Sequence, residues 1–180
     1  MISFKNVSFS YGKTPVLKDF NLSVLPGETV CLFGPSGCGK TTVLKLIAGL
    51  LTANSGEVSV NGKVSFVFQE NRLIPSLSAK ENILAVTDTF DSLEALKLGE
   101  FCDVKPEDLS GGMARRVAIA RAIDYGGDIL LLDEPFNGLD EDNKKLAASL
   151  IKEKFKGKTI VMVSHLKEDI DLLDAKIINL

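Results

Sequence analysis

One glycine-rich segment combines residue types and spacing that suit phosphate binding. Residues 34–41 read Gly-Pro-Ser-Gly-Cys-Gly-Lys-Thr and fit the pattern GxxxxGK followed by Ser or Thr. Glycines let main-chain N–H groups turn toward phosphate oxygens, and the positive end of a following helix adds to the attraction. In such a phosphate loop Lys40 would reach the β- and γ-phosphates, and the Thr41 hydroxyl would bind Mg²⁺. The alternative is a glycine-rich turn that binds nothing. The candidate nucleotide-binding residues here are Gly34, Pro35, Ser36, Gly37, Cys38, Gly39, Lys40, Thr41 and Thr42.

A second candidate site is a pair of carboxylates that ends an apolar run. Residues 128–134 read Asp-Ile-Leu-Leu-Leu-Asp-Glu. Because α/β proteins bind ligands at the carboxyl ends of their strands, Asp133 is predicted to hold Mg²⁺ through water. Glu134 is predicted to orient or deprotonate a water that attacks the phosphate. The pair alone is also compatible with an ordinary acidic turn, whereas together with the phosphate loop it indicates a metal–nucleotide site.

A third segment, residues 110–113 (Ser-Gly-Gly-Met), precedes a helical pattern that contains Arg115, Arg116 and Arg121. Exposed amides at a helix N-terminus, together with a serine hydroxyl, would form a second anion site. In the simpler interpretation Ser110 caps the helix, and Gly111 and Gly112 give a flexible entry to it. In the first interpretation one chain carries two half-sites for phosphate.

The apolar pattern predicts the elements that position these groups. The first thirty residues alternate apolar and polar positions, which indicates antiparallel strands with one solvent-exposed face. A strand at 29–33, the phosphate loop and a helix at 41–51 form the first half of a parallel α/β unit. Two strands, at 58–60 and 64–68, are predicted around the turn Asn61-Gly62. The other predicted elements are a helical region at about 76–125, strands at 129–132, 159–163 and 176–178, and helices at 143–154 and 167–172.

Length and composition favour one compact domain. The chain has 180 residues, 21 basic against 24 acidic side chains and a net charge of -3, and at this size roughly 70% of the unfolded surface can be buried. No stretch approaches the ~20 apolar residues of a membrane helix. The N-terminus lacks a signal-peptide pattern, which predicts a cytoplasmic location. Mild acidity argues against a nucleic-acid partner.

In their order along nearly the whole chain, these motifs resemble the ATP-binding cassette (ABC) ATPases. Residues 34–41 match the family's Walker A motif, 128–133 its Walker B motif and 110–113 its signature sequence. The single-residue matches are Gln69 (Q-loop), Asp140 (D-loop), His165 (switch histidine) and Tyr11 (the ring that stacks on adenine). Simpler interpretations stay open for these four residues. Gln69 could be a surface polar residue, Asp140 and His165 could each cap a helix, and Tyr11 could be an aromatic residue in a turn.

The resemblance implies an α/β fold: a RecA-like P-loop NTPase core with a parallel sheet, an N-terminal antiparallel β subdomain and a small inserted helical subdomain. The implied cofactors are ATP and Mg²⁺. The implied catalytic residues are Glu134, His165, Gln69 and Lys40; the Mg²⁺ ligands are Thr41, Gln69 and Asp133; and the nucleotide contacts outside the phosphate loop are Tyr11, Ser110, Gly111, Gly112 and Asp140.

The resemblance also implies partners. A second copy or a homologous cassette would complete a head-to-tail dimer that holds two ATP molecules, closes on binding and reopens on hydrolysis. Membrane-spanning permease subunits would contact residues 72–77; the alternative is that this segment is a buried loop of the helical subdomain. A solute-binding protein would act indirectly, and the chain would lie on the inner face of the cell membrane. Residues 66–75 and 109–113 look most like those of nitrate, sulfonate, taurine and pyrimidine-precursor importers. The alternatives are a soluble ABC ATPase without a transport role and a nucleotide-dependent regulator.

Two features depart from the family pattern. Met113 stands where glutamine is commoner, and the chain continues for only about one strand after His165. We therefore expect one nucleotide-binding domain over 1–180, with a helical subdomain at about 76–125 and no C-terminal regulatory domain. Weak dimerisation without partners is an expected consequence.

Overall fold

The computed structural model describes residues 1–180 and contains two β-sheets. The strands are β1 (Ile2–Tyr11), β2 (Thr14–Val24), β3 (Thr29–Phe33), β4 (Ser55–Val60), β5 (Val64–Val67), β6 (Ile129–Asp133), β7 (Thr159–Val163) and β8 (Lys176–Asn179). The helices are α1 (Lys40–Ile47), α2 (Ala79–Leu84), α3 (Ser92–Ala95), α4 (Gly111–Tyr125), α5 (Glu141–Lys154) and α6 (Lys167–Leu172), with 3-10 turns at Gly99–Phe101 and Pro106–Asp108. No helix is both long enough and apolar enough to cross a membrane.

The strand orders explain the apolar patterns. The smaller sheet is antiparallel with the order β2-β1-β4, and the larger is parallel with the order β5-β6-β7-β3-β8. Alternate residues of β6 enter different cores: Ile129 and Leu131 pack with α1 and the antiparallel sheet, whereas Leu130 and Leu132 pack with α4 and α5. A strand that is buried on both faces has a continuous apolar sequence, as β6 does. The two sheets confirm the predicted α/β class with an antiparallel N-terminal part.

The two strands predicted around the turn Asn61-Gly62 are present, but they do not pair with each other. β4 pairs antiparallel with β1, whereas β5 pairs parallel with β6, so the turn connects two different sheets. The main chain after the turn is held by Asp128, because Lys63 N donates to Asp128 Oδ2 at 2.8 Å and Asp128 N donates to Lys63 O at 2.8 Å. These bonds join β5 to the start of β6 and leave no hairpin partner for β4.

Several predicted helix bounds also needed correction. The helix expected at 41–51 ends at Ile47, because Gly49 adopts φ +68°, a left-handed conformation that stops the helix. The region 76–125 is not continuous helix: two short helices and two 3-10 turns precede α4. Helix α5 begins at Glu141 rather than 143, because Asp140 Oδ1 accepts a hydrogen bond from Asn143 N at 2.9 Å.

Candidate active site

The phosphate loop connects β3 to α1 and surrounds the side chain of Lys40. Gly39 has φ +103°, which a residue with a Cβ rarely adopts, and α1 begins at the next residue. Lys40 Nζ donates to the carbonyl oxygens of Gly34 and Pro35, both at 2.8 Å, and lies 3.8 Å from Cys38 Sγ. The ammonium group is therefore held in the centre of the loop, where phosphate oxygens are expected.

Thr41 and Asp133 bring two oxygen groups together beside this loop. Asp133 ends β6 and is buried, and Thr41 Oγ1 donates to its Oδ1 at 3.2 Å. Burial raises the pKa of Asp133, against the hydrogen bond from Thr41 and the nearby lysine and arginine charges. A hydroxyl and a carboxylate are hard oxygen ligands of the kind that Mg²⁺ takes together with substrate phosphates, so these residues fit that ion.

Glu134 and His165 form the next pair along the carboxyl edge of the sheet. Strands β6 and β7 are neighbours, with Asp133 opposite Val163, and Glu134 Oε1 lies 3.0 Å from His165 Nε2. Burial raises the pKa of Glu134; His165 opposes this shift, and the neighbouring carboxylate of Asp133 adds to it. A half-buried carboxylate beside an imidazole can accept a proton from water, as a hydrolytic site requires.

One cavity of about 320 Å³ gathers most of the predicted residues. Gln69 enters it from the chain that follows β5, and Tyr11 from the end of β1 in the other sheet. The Tyr11 ring is 48% exposed, packs edge-on against Phe9 and places its hydroxyl 3.5 Å from Thr42 Oγ1. The lining residues are Tyr11, Val16, Ser36, Gly37, Gly39, Lys40, Thr41, Thr42, Gln69, Asp133, Glu134, Val163 and His165.

Ser110, Gly111, Gly112 and Asp140 do not line this cavity. Ser110 caps α4, accepting from Met113 N at 3.2 Å, and Asp140 caps α5; the hydrogen bonds from Asn143 lower the pKa of Asp140. The two segments are neighbours, since a Cβ built on Gly112 would lie 3.3 Å from Gly138 O. Ser110 and Asp140 thus cap helices, and the segments that contain them form a surface apart from the phosphate loop of the same chain.

Sequence reasoning missed a polar network behind His165. Ser164 Oγ donates to Asp169 Oδ2 at 2.9 Å and accepts from Leu166 N at 3.1 Å, while Lys144 Nζ lies 3.4 Å from Asp169 Oδ1. The network connects α5, α6 and the segment that contains His165. Its signal in the sequence is weak, because Lys144 is one of several lysines between 144 and 158 and only its burial distinguishes it.

Comparison with known proteins decides the family. A profile of the ABC transporter family matches residues 17–137. The chain is 40% identical to the aliphatic sulfonates import ATP-binding protein SsuB of Bacillus subtilis, over 88% of this chain and 69% of that protein. The chain belongs to the ABC transporter family. Within this family it is an ATPase subunit, so the predicted cassette and enzyme class are confirmed, as is the resemblance to sulfonate-type importer ATPases.

Other relatives and solved structures agree. The ergothioneine transport ATP-binding protein EgtV of Helicobacter pylori is 36% identical over 98% of this ABC ATPase and 95% of that protein. The spermidine/putrescine import ATP-binding protein PotA of Legionella pneumophila is 38% identical, and this chain spans 53% of its length. A dimeric ATP-binding cassette in a post-hydrolysis state, bound to ADP and Pi, superimposes with a TM-score of 0.89 at 32% identity, over 100% of this chain and 94% of that one.

Proposed function

We propose that this ABC ATPase drives an importer of small organic solutes as a head-to-tail dimer that encloses two ATP molecules. The observation that carries the proposal is the separation of two half-sites. The cavity contains Lys40, His165 and the residues proposed as metal ligands and as the base, whereas Ser110 and the glycines after it lie elsewhere and beside the Asp140 turn. One chain cannot bring this surface onto its own phosphate loop, but a two-fold pair supplies it twice.

The side chains of the cavity and those of the opposing signature segment have different roles in ATP hydrolysis. Lys40 would bind the β- and γ-phosphates, and Thr41, Asp133 and Gln69 would hold Mg²⁺, which when bound would neutralise charge on the phosphates. Glu134 orients a water in line with the γ-phosphate and takes its proton, while His165 fixes the Glu134 carboxylate through their 3.0 Å contact. The serine and amides of the opposing signature segment stabilise the negative charge that develops.

Transport follows from coupling this cycle to a membrane-spanning subunit. The proposed contact is the segment 72–77 between β5 and α2, in which Ile74 is 45% exposed. Its main chain is anchored, since Ile74 N donates to Asn82 Oδ1 at 2.7 Å and Arg121 donates to the carbonyls of Asn71 and Arg72.

Residues 1–180 act as one nucleotide-binding domain on the inner membrane face. Import is the proposed direction because SsuB and PotA are named as import proteins.

Light scattering of purified wild type and Glu134→Gln, with and without Mg-ATP, tests the proposal. Glu134→Gln is expected to bind ATP, lose turnover and shift to a dimer, because ATP that is not hydrolysed keeps the two chains together. Glu153→Gln, which changes an exposed glutamate on α5, is the matched control and should behave like wild type. A Glu134→Gln protein that turns over ATP normally and stays monomeric at saturating Mg-ATP would contradict the proposal.

A further inference from the structure

Arg115 is a buried arginine that joins two strand ends of the site. It lies on α4 near Ser110 and is 3% exposed. Its Nη1 donates to the carbonyl oxygen of Phe68 and, at 3.2 Å, to that of Gln69. The other two nitrogens bind the end of β6 and the residues after it: Nη2 donates to Asp133 O at 2.9 Å and Glu134 O at 2.6 Å, and Nε donates to Pro135 O at 2.8 Å.

The contacts with three consecutive carbonyls fix an unusual backbone. Glu134 has φ +50°, a left-handed conformation that is strained for a residue with a Cβ. Such a conformation persists where the surroundings determine it. A planar guanidinium with five N–H donors can bind the carbonyls on both sides of this turn at once, which a lysine ammonium cannot do. Arg115 therefore holds the main chain that directs the Glu134 carboxylate toward His165.

The bonds at Phe68 and Gln69 extend this constraint to the neighbouring strand. Strands β5 and β6 are paired, and the guanidinium sits across their carboxyl ends, just beyond the last ladder pair of Val67 and Leu132. Gln69 and Glu134 both line the cavity. One side chain thus sets the distance between the main-chain positions that carry a proposed metal ligand and the proposed base.

The charge of Arg115 is retained in this position. Burial lowers the pKa of Arg115 to about 10, against the attraction of Asp133 and Glu134, so the group is still cationic at neutral pH. Charged donors make stronger hydrogen bonds than neutral ones. The structure offers no nucleotide contact for Arg115, since it is absent from the cavity lining.

We propose that Arg115 is a positioning residue for ATP hydrolysis, which holds Gln69 and Glu134 in register through their main-chain carbonyls. This inference rests on the proposed function. Arg115→Lys should lower kcat by about 100-fold, as misplacement of a reacting group does, and leave KM for ATP nearly unchanged. The control is Arg116→Lys on the same helix, whose Nη1 donates to Leu96 O and which contacts neither strand end. It should keep wild-type kcat.

A second measurement does not depend on turnover. His165 is the one histidine of the chain, so its ring-proton NMR signals are assigned without ambiguity. In Arg115→Lys these signals should move toward their positions in Glu134→Gln, because the carboxylate leaves the imidazole; in Arg116→Lys they should stay. Arg115→Gln is expected to behave in the same way and replaces the lysine variant if that does not fold.

The results separate the two hypotheses. Wild-type kcat and unmoved His165 signals in Arg115→Lys would overturn the positioning role, as would equal losses of kcat in Arg115→Lys and Arg116→Lys. If wild type and Arg116→Lys also fail to hydrolyse ATP, the proposed function is contradicted, and the His165 signals still decide whether Arg115 positions Glu134.

Discussion

At the scale of single residues, the site keeps two carboxylates partly out of water. Asp133 and Glu134 are adjacent, and burial raises the pKa of each. The folded protein therefore binds protons at these positions more readily than the unfolded chain does. Their ionised forms lower stability at pH values above the folded pKa, and this cost disappears below the unfolded pKa. The negative charge of these two carboxylates is thus obtained at the expense of stability.

Glu134→Gln should for this reason raise the free energy of unfolding at pH 7, by about 1 kcal/mol. The gain should shrink as the pH falls toward the ordinary pKa of glutamate, because the wild-type carboxyl is then protonated as well. Denaturant unfolding at pH 7 and at pH 4 measures both values. Glu153→Gln, on the exposed face of α5, should change stability at neither pH. A Glu134→Gln protein less stable than wild type at pH 7 would show that the contact with His165 outweighs burial.

At the scale of secondary-structure elements, serine caps set where two helices begin. Ser78 and Glu81 form a capping box at α2, with Glu81 N donating to Ser78 Oγ at 3.3 Å and Ser78 N to Glu81 Oε2 at 2.8 Å. Ser110 caps α4 through the single bond from Met113 N. All of these bonds are local to the start of their helix, but only Ser110 belongs to the proposed dimer surface.

Replacing each serine by alanine separates capping from nucleotide contact. Ser78→Ala and Ser110→Ala should each lower the free energy of unfolding by about 1 kcal/mol, the usual value of an N-cap. Only Ser110→Ala should also lower the ATPase rate and the amount of ATP-dependent dimer in the Glu134→Gln background. Thermal unfolding and light scattering give the two readouts. Equal ATPase rates in the two variants would restrict Ser110 to its capping role.

At the scale of the whole molecule, the two sheets contribute different parts of the proposed nucleotide site. Tyr11 ends β1 in the antiparallel sheet, whereas the phosphate loop follows β3 in the parallel sheet. The shared core that contains Phe9, Leu32 and Leu44 packs the sheets together and fixes the spacing between them. We therefore expect the exposed ring to stack on a base while the loop binds phosphates.

Tyr11→Ala should weaken ATP binding by about tenfold, since stacking of a base on an aromatic ring contributes ~1–3 kcal/mol. Tyr11→Phe keeps the ring and should bind ATP like wild type. Inorganic triphosphate, which has no base, should bind all three proteins equally. Isothermal titration calorimetry gives these affinities. A similar loss of affinity for ATP and triphosphate in Tyr11→Ala would instead indicate a disturbed phosphate loop.

Local features of the site could be predicted from the sequence because their chemistry lies within a few residues. The phosphate loop needs only its glycines, Lys40 and Thr41, and the caps at Ser78, Ser110 and Asp140 need only the next turn of helix. The roles assigned to Gln69, Asp140 and His165 came instead from the family resemblance. The structure places Gln69 and His165 in the same cavity as Glu134, and Asp140 outside it. The functional roles of all these residues remain predictions.

The sequence by itself determined the strands, most of the helices and the prediction of a phosphate-binding loop, because periodicity and local hydrogen bonding are encoded in neighbouring residues. Only the tertiary structure decided that β4 and β5 lie in different sheets, since an alternating or apolar pattern reports a buried face and not the strand that covers it. The same holds for Arg115. Its position in the sequence shows a charge within a helix, and its role depends on carbonyls 18 to 47 residues away that folding brings to one guanidinium.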